Sequence, residues 1–112
     1  MGAITASTKF CGIRPDGEEI VIHLEIGTPY LRAKYSYGDW ACPISLTPLY
    51  KELAEATGID PFHSLCLASS LALDLLQGFI DDGGRILHDD GTDVLLQAYA
   101  FGVANKGASS AA

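Results

Sequence analysis

The chain has 112 residues, 48% hydrophobic and 19% charged, which is enough apolar material for one packed core and leaves no room for a second domain. Fourteen acidic residues against seven basic ones leave a net charge of −7, a balance that disfavours direct contact with nucleic acid phosphates or anionic lipid and favours a basic protein partner. The three cysteines, Cys11, Cys42 and Cys66, form no C-x-x-C pair, so neither a disulfide framework nor a zinc knuckle is indicated and reduced thiols in a cytoplasm are expected.

The N-terminal "MGAITASTKF" lacks a basic stretch followed by an apolar run, so no secretory signal is expected, and Met1-Gly2 is only half of a myristoylation signal. Residues 4–10 place Ile4, Ala6, Thr8 and Phe10 on one side and Thr5, Ser7 and Lys9 on the other, the period of a half-buried strand. Pro15-Asp16-Gly17 then predicts a turn, through the preset φ of proline, side-chain bonding by aspartate and a permissive glycine. The next strand, "EEIVIHLEI", directs Ile20, Ile22, Leu24 and Ile26 inward and Glu19, Val21, His23 and Glu25 outward. "LRAKYSY" alternates again, and Gly38-Asp39 turns the chain into "WACPISL", where Trp40, Cys42, Ile44 and Leu46 share a face. Pro43 cannot donate to a ladder, which puts this strand at an edge or a bulge.

"TPLYKELAEATG" can be read as a short helix capped by Thr47, with Pro48 at its first position and Gly58 as its stop, or as irregular chain with a strand end. Residues 60–80 predict a long helix, capped by Asp60, started by Pro61 and ended by Asp81-Asp82-Gly83-Gly84. At 100° per residue His63, Ser70, Asp74 and Gln77 form a narrow polar stripe, and leucines, Phe79 and Ile80 fill most of the rest. The apolar run at 65–80 is interrupted by Ser69, Ser70, Asp74 and Gln77, short of the roughly twenty apolar residues of a membrane span, so a soluble chain is expected. "RIL" and a longer strand at 93–101 predict a final hairpin across "HDDGTD". The expected fold class is α+β: an antiparallel sheet of four to five strands packed on one long helix, with the 48–57 segment as an optional second short helix. Residues 1–102 form the single expected domain and 103–112 a disordered tail.

Several constellations invite chemistry. His63 and Cys66, three apart on one helix, are the minimal elements of an activated thiolate, yet no orienting third residue or oxyanion loop accompanies them. Asp81, Asp82, Asp89, Asp90 and Asp93 surround His88 and offer oxygen ligands, but an EF-hand register placed on Gly91 would require Ile86 and His88 as its first and third ligands. His23 and His88 have no metal-ligating spacing, and the glycines of "DGGR" and "GTPY" match no phosphate-binding loop. Tyr30, Tyr35, Tyr37 and Trp40 lie in one stretch with Arg32 and Lys34; on a chain of charge −7 this set favours core and protein-interface packing over base stacking. No catalytic residue, metal ligand or cofactor is therefore assigned.

The strand end "IGTPY", the "DWACPISL" strand and "GIDPFHSLCLASSLALDLLQGFIDDGG" together resemble an uncharacterised family of small bacterial proteins, a domain of unknown function. Its motifs are Ile-Gly-x-Pro, Trp-x-Cys-Pro and Gly-x-Asp leading into a long apolar helix. Ile26, Gly27, Pro29, Trp40, Cys42, Pro43, Gly58, Asp60, Leu65 and Ala68 match, whereas Pro61 and His63 stand where the family has Ser and Gln. The resemblance implies an α+β fold and carries no catalytic residue, substrate or cofactor. The expected function is a small acidic, non-enzymatic domain that binds another protein, such as an inhibitor of the immunity or phage anti-defence type. Its candidate contacts are Asp81, Asp82, Asp89, Asp90 and Asp93, and Tyr30, Tyr35, Tyr37 and Trp40. The alternatives are a small-molecule-binding or enzymatic protein with a pocket between helix and sheet, faced by His63, Cys66 or Trp40, and a homodimer packed through residues 60–80.

Overall fold

In a computed structural model, residues 2–32 and 39–99 are described. Seven strands and one helix follow in the order β1 (Ile4–Ile13), β2 (Glu19–Gly27), β3 (Tyr30–Leu31), β4 (Trp40–Cys42), β5 (Ile44–Thr47), β6 (Ala56–Gly58), α1 (Pro61–Asp81) and β7 (Arg85–Leu87), closed by a 3-10 turn at Leu96–Tyr99. The fold is α+β: α1 packs on a four-stranded antiparallel sheet ordered β5-β2-β1-β7 and on a second sheet ordered β3-β4-β6.

The first hairpin follows the sequence closely. Gly17 adopts φ 93° and its N–H donates to the Arg14 carbonyl at 2.8 Å, while Asp16 accepts from the Glu18 N–H at 2.9 Å. β2 alternates as its pattern requires: Ile22 and Ile26 are buried, and Val21 and His23 are exposed. β1 departs from its pattern. Only its second half is covered, since Phe10 is buried but residues 4–9 are exposed on both faces. The ladder with β2 shifts register between Ile4 and Ala6, a bulge, and β7 pairs only with Cys11, Gly12 and Ile13.

α1 bridges the two sheets. Towards its C-terminal end Leu76 joins Phe10, Ile22, Leu46, Ile86, Val94 and Leu96 in the larger core cluster; Ala68 and Ala72, nearer the N-terminus, pack with Ile26, Cys42 and Ile44. The small alanines allow the helix to approach the strands closely where the sheets meet. His63, Ser70, Asp74 and Gln77 are exposed, as the polar stripe predicts. The helix closes on Gly83 at φ 103°, with the Gly84 N–H donating to the Phe79 carbonyl and the Gly83 N–H to that of Ile80, a left-handed C-terminal cap. At 21 residues α1 is long and apolar enough by length and composition to cross a membrane, which corrects the shorter apolar span read from the sequence. Here one of its faces packs on both sheets.

Two further expectations are corrected, and the open reading of residues 48–57 resolves to irregular chain with a strand end. Residues 48–57 form no second helix: a turn follows Thr47, and Ala56, Thr57 and Gly58 pair with Cys42, Ala41 and Trp40, because β4 has an edge to satisfy and Gly58 serves a strand rather than a helix stop. Over its described part, residues 93–99, the predicted strand at 93–101 shrinks to a single bridge between Asp93 and Leu87, and residues 100–101 lie outside the described residues. The 3-10 turn then buries Leu96, since three-residue β7 offers a long partner no ladder. Finally, "WACPISL" divides at Pro43 into two strands, one in each sheet. The predicted strand through 31–37 lies mostly outside the described residues, as does the 103–112 tail.

Candidate functional site

The N-terminal end of α1 is built by reciprocal capping. Asp60, extended at φ −150°, accepts the His63 backbone N–H at 2.7 Å, and His63 Nδ1 accepts the Ile59 N–H at 3.1 Å. The histidine thus does the work of the Glu or Gln of a capping box, displaced by one residue. That bond occupies the Nδ1 lone pair, so Nε2 carries the proton of the neutral ring. A base for Cys66 would need a free ring nitrogen aimed at the thiol, and the ring is turned to the backbone instead. Cys66 is half-buried beside it.

Gly27, Cys42 and Pro43 meet where the chain passes from one sheet to the other. A Cβ on Gly27 would lie 2.9 Å from Pro43, whose carbonyl accepts the Gly27 N–H at 2.8 Å, and the Cys42 thiol donates to the Gly27 carbonyl at 3.3 Å. Burial raises the Cys42 thiol pKa. A Cβ on Gly58 would lie 2.7 Å from the Ser64 nitrogen at the start of the helix. Gly27, Cys42, Pro43 and Gly58 brace the passage from one sheet to the other and hold the helix start against it. They are structural in this chain.

The acidic residues 81–93 are distributed rather than gathered. Asp81 accepts from the Gln77 amide at 2.9 Å, Asp82 caps the helix, and Asp93 pairs with Arg85 at 3.2 Å, both largely exposed. Asp90 holds a tight turn, accepting the Thr92 hydroxyl at 2.6 Å and its N–H at 3.0 Å; the hydroxyl contact is the main reason its carboxyl stays below the usual range. Asp89 is exposed on the same turn, and β7 separates that turn from Asp81 and Asp82. Among the described residues no group of three His, Cys, Asp or Glu side chains could hold a metal ion.

Tyr30 and Trp40, the described part of the aromatic stretch, lie in the small sheet. Tyr30 donates its hydroxyl to Glu55, whose carboxylate raises the phenol pKa, and Trp40 is half-buried. Arg32 binds Asp39 through two contacts of 2.8 and 2.9 Å; Tyr35 and Tyr37 lie outside the described residues. Leu31, Trp40 and Gly58 are directly opposed across β3, β4 and β6, and opposed residues share a face. Ile59 and Phe62 follow immediately. They are 74% and 73% exposed, with Leu31 at 52% and Tyr30 at 43%. Sequence reasoning missed Leu31, Ile59 and Phe62. One signal was available for Ile59: a hydrophobic residue before an N-cap normally packs on the fourth helical position, and that position is Ser64, a buried polar residue.

An apolar groove of about 230 Å³ opens between helix and main sheet, lined by Leu24, Ile26, Ser69, Ala72, Leu73 and Tyr99. Neither His63, Cys66 nor Trp40 lines it, so the sequence-predicted pocket residues and the groove are separate. No family model, curated protein or solved structure matches this chain.

Proposed function

We propose that this protein is a non-enzymatic binding domain that recognises another protein with the end of the molecule where the small sheet meets the start of α1. The observation that supports this reading is the exposure of Ile59 and Phe62 at the start of α1 and of Tyr30 and Leu31 on the outer strand of the small sheet. Exposed large apolar and aromatic side chains are what the centre of a protein interface uses, and they cost a lone domain solubility. The net charge of −7 suits a basic partner, drawn in by long-range attraction and then held by apolar contact. Within this class we favour an inhibitor of the immunity or phage anti-defence type, acting in the cytoplasm by occlusion, and the resemblance to the small bacterial family belongs to the same proposal.

The test is capture from host lysate with wild-type protein and with an Ile59→Ala, Phe62→Ala double variant. The variant is expected to keep its fold and lose at least about tenfold in partner affinity, the range of an interface anchor. Changing Asp81, Asp82, Asp89 and Asp90 together to Asn is expected to slow association and flatten its salt dependence, with little change in dissociation. Undiminished capture by the double variant would sink the assignment of this end as the contact surface.

A further inference from the structure

We propose that the cleft beside Tyr30 binds a guanidinium group, the side chain of an arginine on the protein partner, with Glu55 as its counter-ion.

The cleft forms where the start of β1, the β2–β3 connection and the small sheet meet. Ala3, Thr28, Pro29, Tyr30, Pro43 and Glu55 line a space of about 480 Å³, inside the range of about 300–1,000 Å³ typical of sites for small organic groups. Bonds within the chain hold its walls. The Thr28 N–H donates to the Ala3 carbonyl at 2.9 Å and the Gly27 N–H to the Pro43 carbonyl at 2.8 Å, and Pro43 packs so closely on Gly27 that a Cβ there would lie 2.9 Å away. The lining side chains are apolar apart from Thr28, Tyr30 and Glu55, and the Thr28 hydroxyl already shares a hydrogen bond of 3.1 Å with that of Thr5.

Glu55 decides what the cleft takes. Among the described residues it is the one charged group of the lining, and no cation pairs with it. Arg32, two residues from Tyr30, is held by Asp39 through two contacts. The charge of Glu55 is felt on both sides of the cleft. Together with the hydrogen bond from Tyr30 it raises the phenol pKa, and it adds to the burial that raises the Cys42 thiol. A carboxylate without a counter-ion, set beside an aromatic ring and two prolines, is complementary to a cation with an apolar or planar body. A guanidinium fits better than an ammonium. It stacks on the Tyr30 ring and donates to both carboxylate oxygens as a fork, since the oxygen that accepts the Tyr30 hydroxyl keeps a second lone pair. The inference rests on the protein-binding reading above and adds to it the chemistry of one anchor, an arginine drawn in by the net charge of −7.

The experiment titrates the full chain with N-acetyl-arginine amide and, separately, with N-acetyl-citrulline amide, which has nearly the same shape and no charge. Amide NMR shifts report on Ala3, Thr28 and Tyr30. The arginine probe is expected to give saturable shifts at these positions. The citrulline probe is expected to bind at least about tenfold more weakly, and so is the arginine probe to Glu55→Gln, whose amide oxygen still accepts the Tyr30 hydroxyl and preserves the walls. Saturation with arginine is also expected to lower the Tyr30 phenol pKa, because a neighbouring cation stabilises the phenolate. Absence of saturable shifts at the three amides, equal responses to the two probes, or an undiminished response in Glu55→Gln would overturn the proposal. Capture from host lysate by the wild-type chain is read in parallel and keeps the two readings apart. A cleft that ignores arginine in a chain that still captures a partner overturns the guanidinium site alone, whereas a cleft that binds arginine in a chain that captures nothing overturns the partner as its source.

Discussion

The two ends of α1 differ in how much of their chemistry is left free. At the C-terminal end lie five aspartates and His88, the most conspicuous polar cluster in the sequence, and three of these side chains are already engaged. Asp81 holds Gln77, Asp90 holds the turn to Thr92 and Asp93 meets Arg85, while Asp82 caps the helix through its backbone N–H. At the N-terminal end the polar residues are consumed by capping, and what remains free is apolar: Ile59, Phe62 and Leu31. A cluster of reactive residue types is thus a poor guide to a site until its hydrogen bonds are counted, and an ordinary hydrophobe becomes informative when nothing covers it.

That contrast can be broken or sharpened in order of expected effect. Leu76 is fully buried where α1 meets the main sheet, so Leu76→Ala should cost about 2–5 kcal/mol in urea unfolding and disturb both ends together. Damage confined to one end would show that the helix does not couple them. Asp60→Ala removes the cap alone and should cost about 1 kcal/mol. His63→Ala should cost less than that, and His63→Gln should restore part of the loss, because an amide oxygen can take over the Ile59 N–H; equal losses in the alanine and glutamine variants would remove the capping role from His63.

The junction between the sheets is best probed by pH. Burial raises the Cys42 thiol pKa in the native state, so the unfolded chain gives up its thiol proton first. The stabilising contribution is whole below the unfolded thiol's ordinary range and is lost as pH rises through the folded value. Cys42→Ala should therefore show a shallower loss of stability on the alkaline side than wild type, whatever its offset at neutral pH, and parallel curves would discount burial of the thiol as the cause. The smallest effect belongs to Asp90. Its carboxyl is held low by Thr92, so its contribution is present above the ordinary carboxylate range and fades as pH falls through the lowered folded value. The Thr92 amide shift in an NMR titration should report a midpoint below that range, and Asp90→Asn should leave the thermal midpoint close to wild type.

Much of the fold was legible in the residues themselves. The alternation of Ile20, Ile22, Leu24 and Ile26 identified β2, and Pro15-Asp16-Gly17 identified its turn. Asp60, Pro61 and Gly83 bounded α1, and the polar stripe through Ser70 and Asp74 identified its solvent face. Each of these depends on periodicity or on a side chain bonding its near neighbours, interactions that a linear pattern contains. The candidate site was less legible. Tyr30 and Trp40 were singled out, but the exposure of Leu31, Ile59 and Phe62 depends on what the folded chain leaves uncovered, which no local pattern contains. The aspartates were grouped because they are close in sequence, although β7 holds the two parts of the group apart.

The sequence by itself therefore determined the α+β class, the long helix with its caps, the first hairpin and the acidic charge, all set by local bonding and by the period of apolar residues. Tertiary structure decided the rest: that "WACPISL" divides between two sheets, that residues 56–58 pair with β4 instead of forming a helix, that residues 96–99 turn rather than extend, and that half of β1 stands uncovered. Those outcomes depend on which backbone edge needs a partner and which apolar face finds one, and both are properties of the assembled chain.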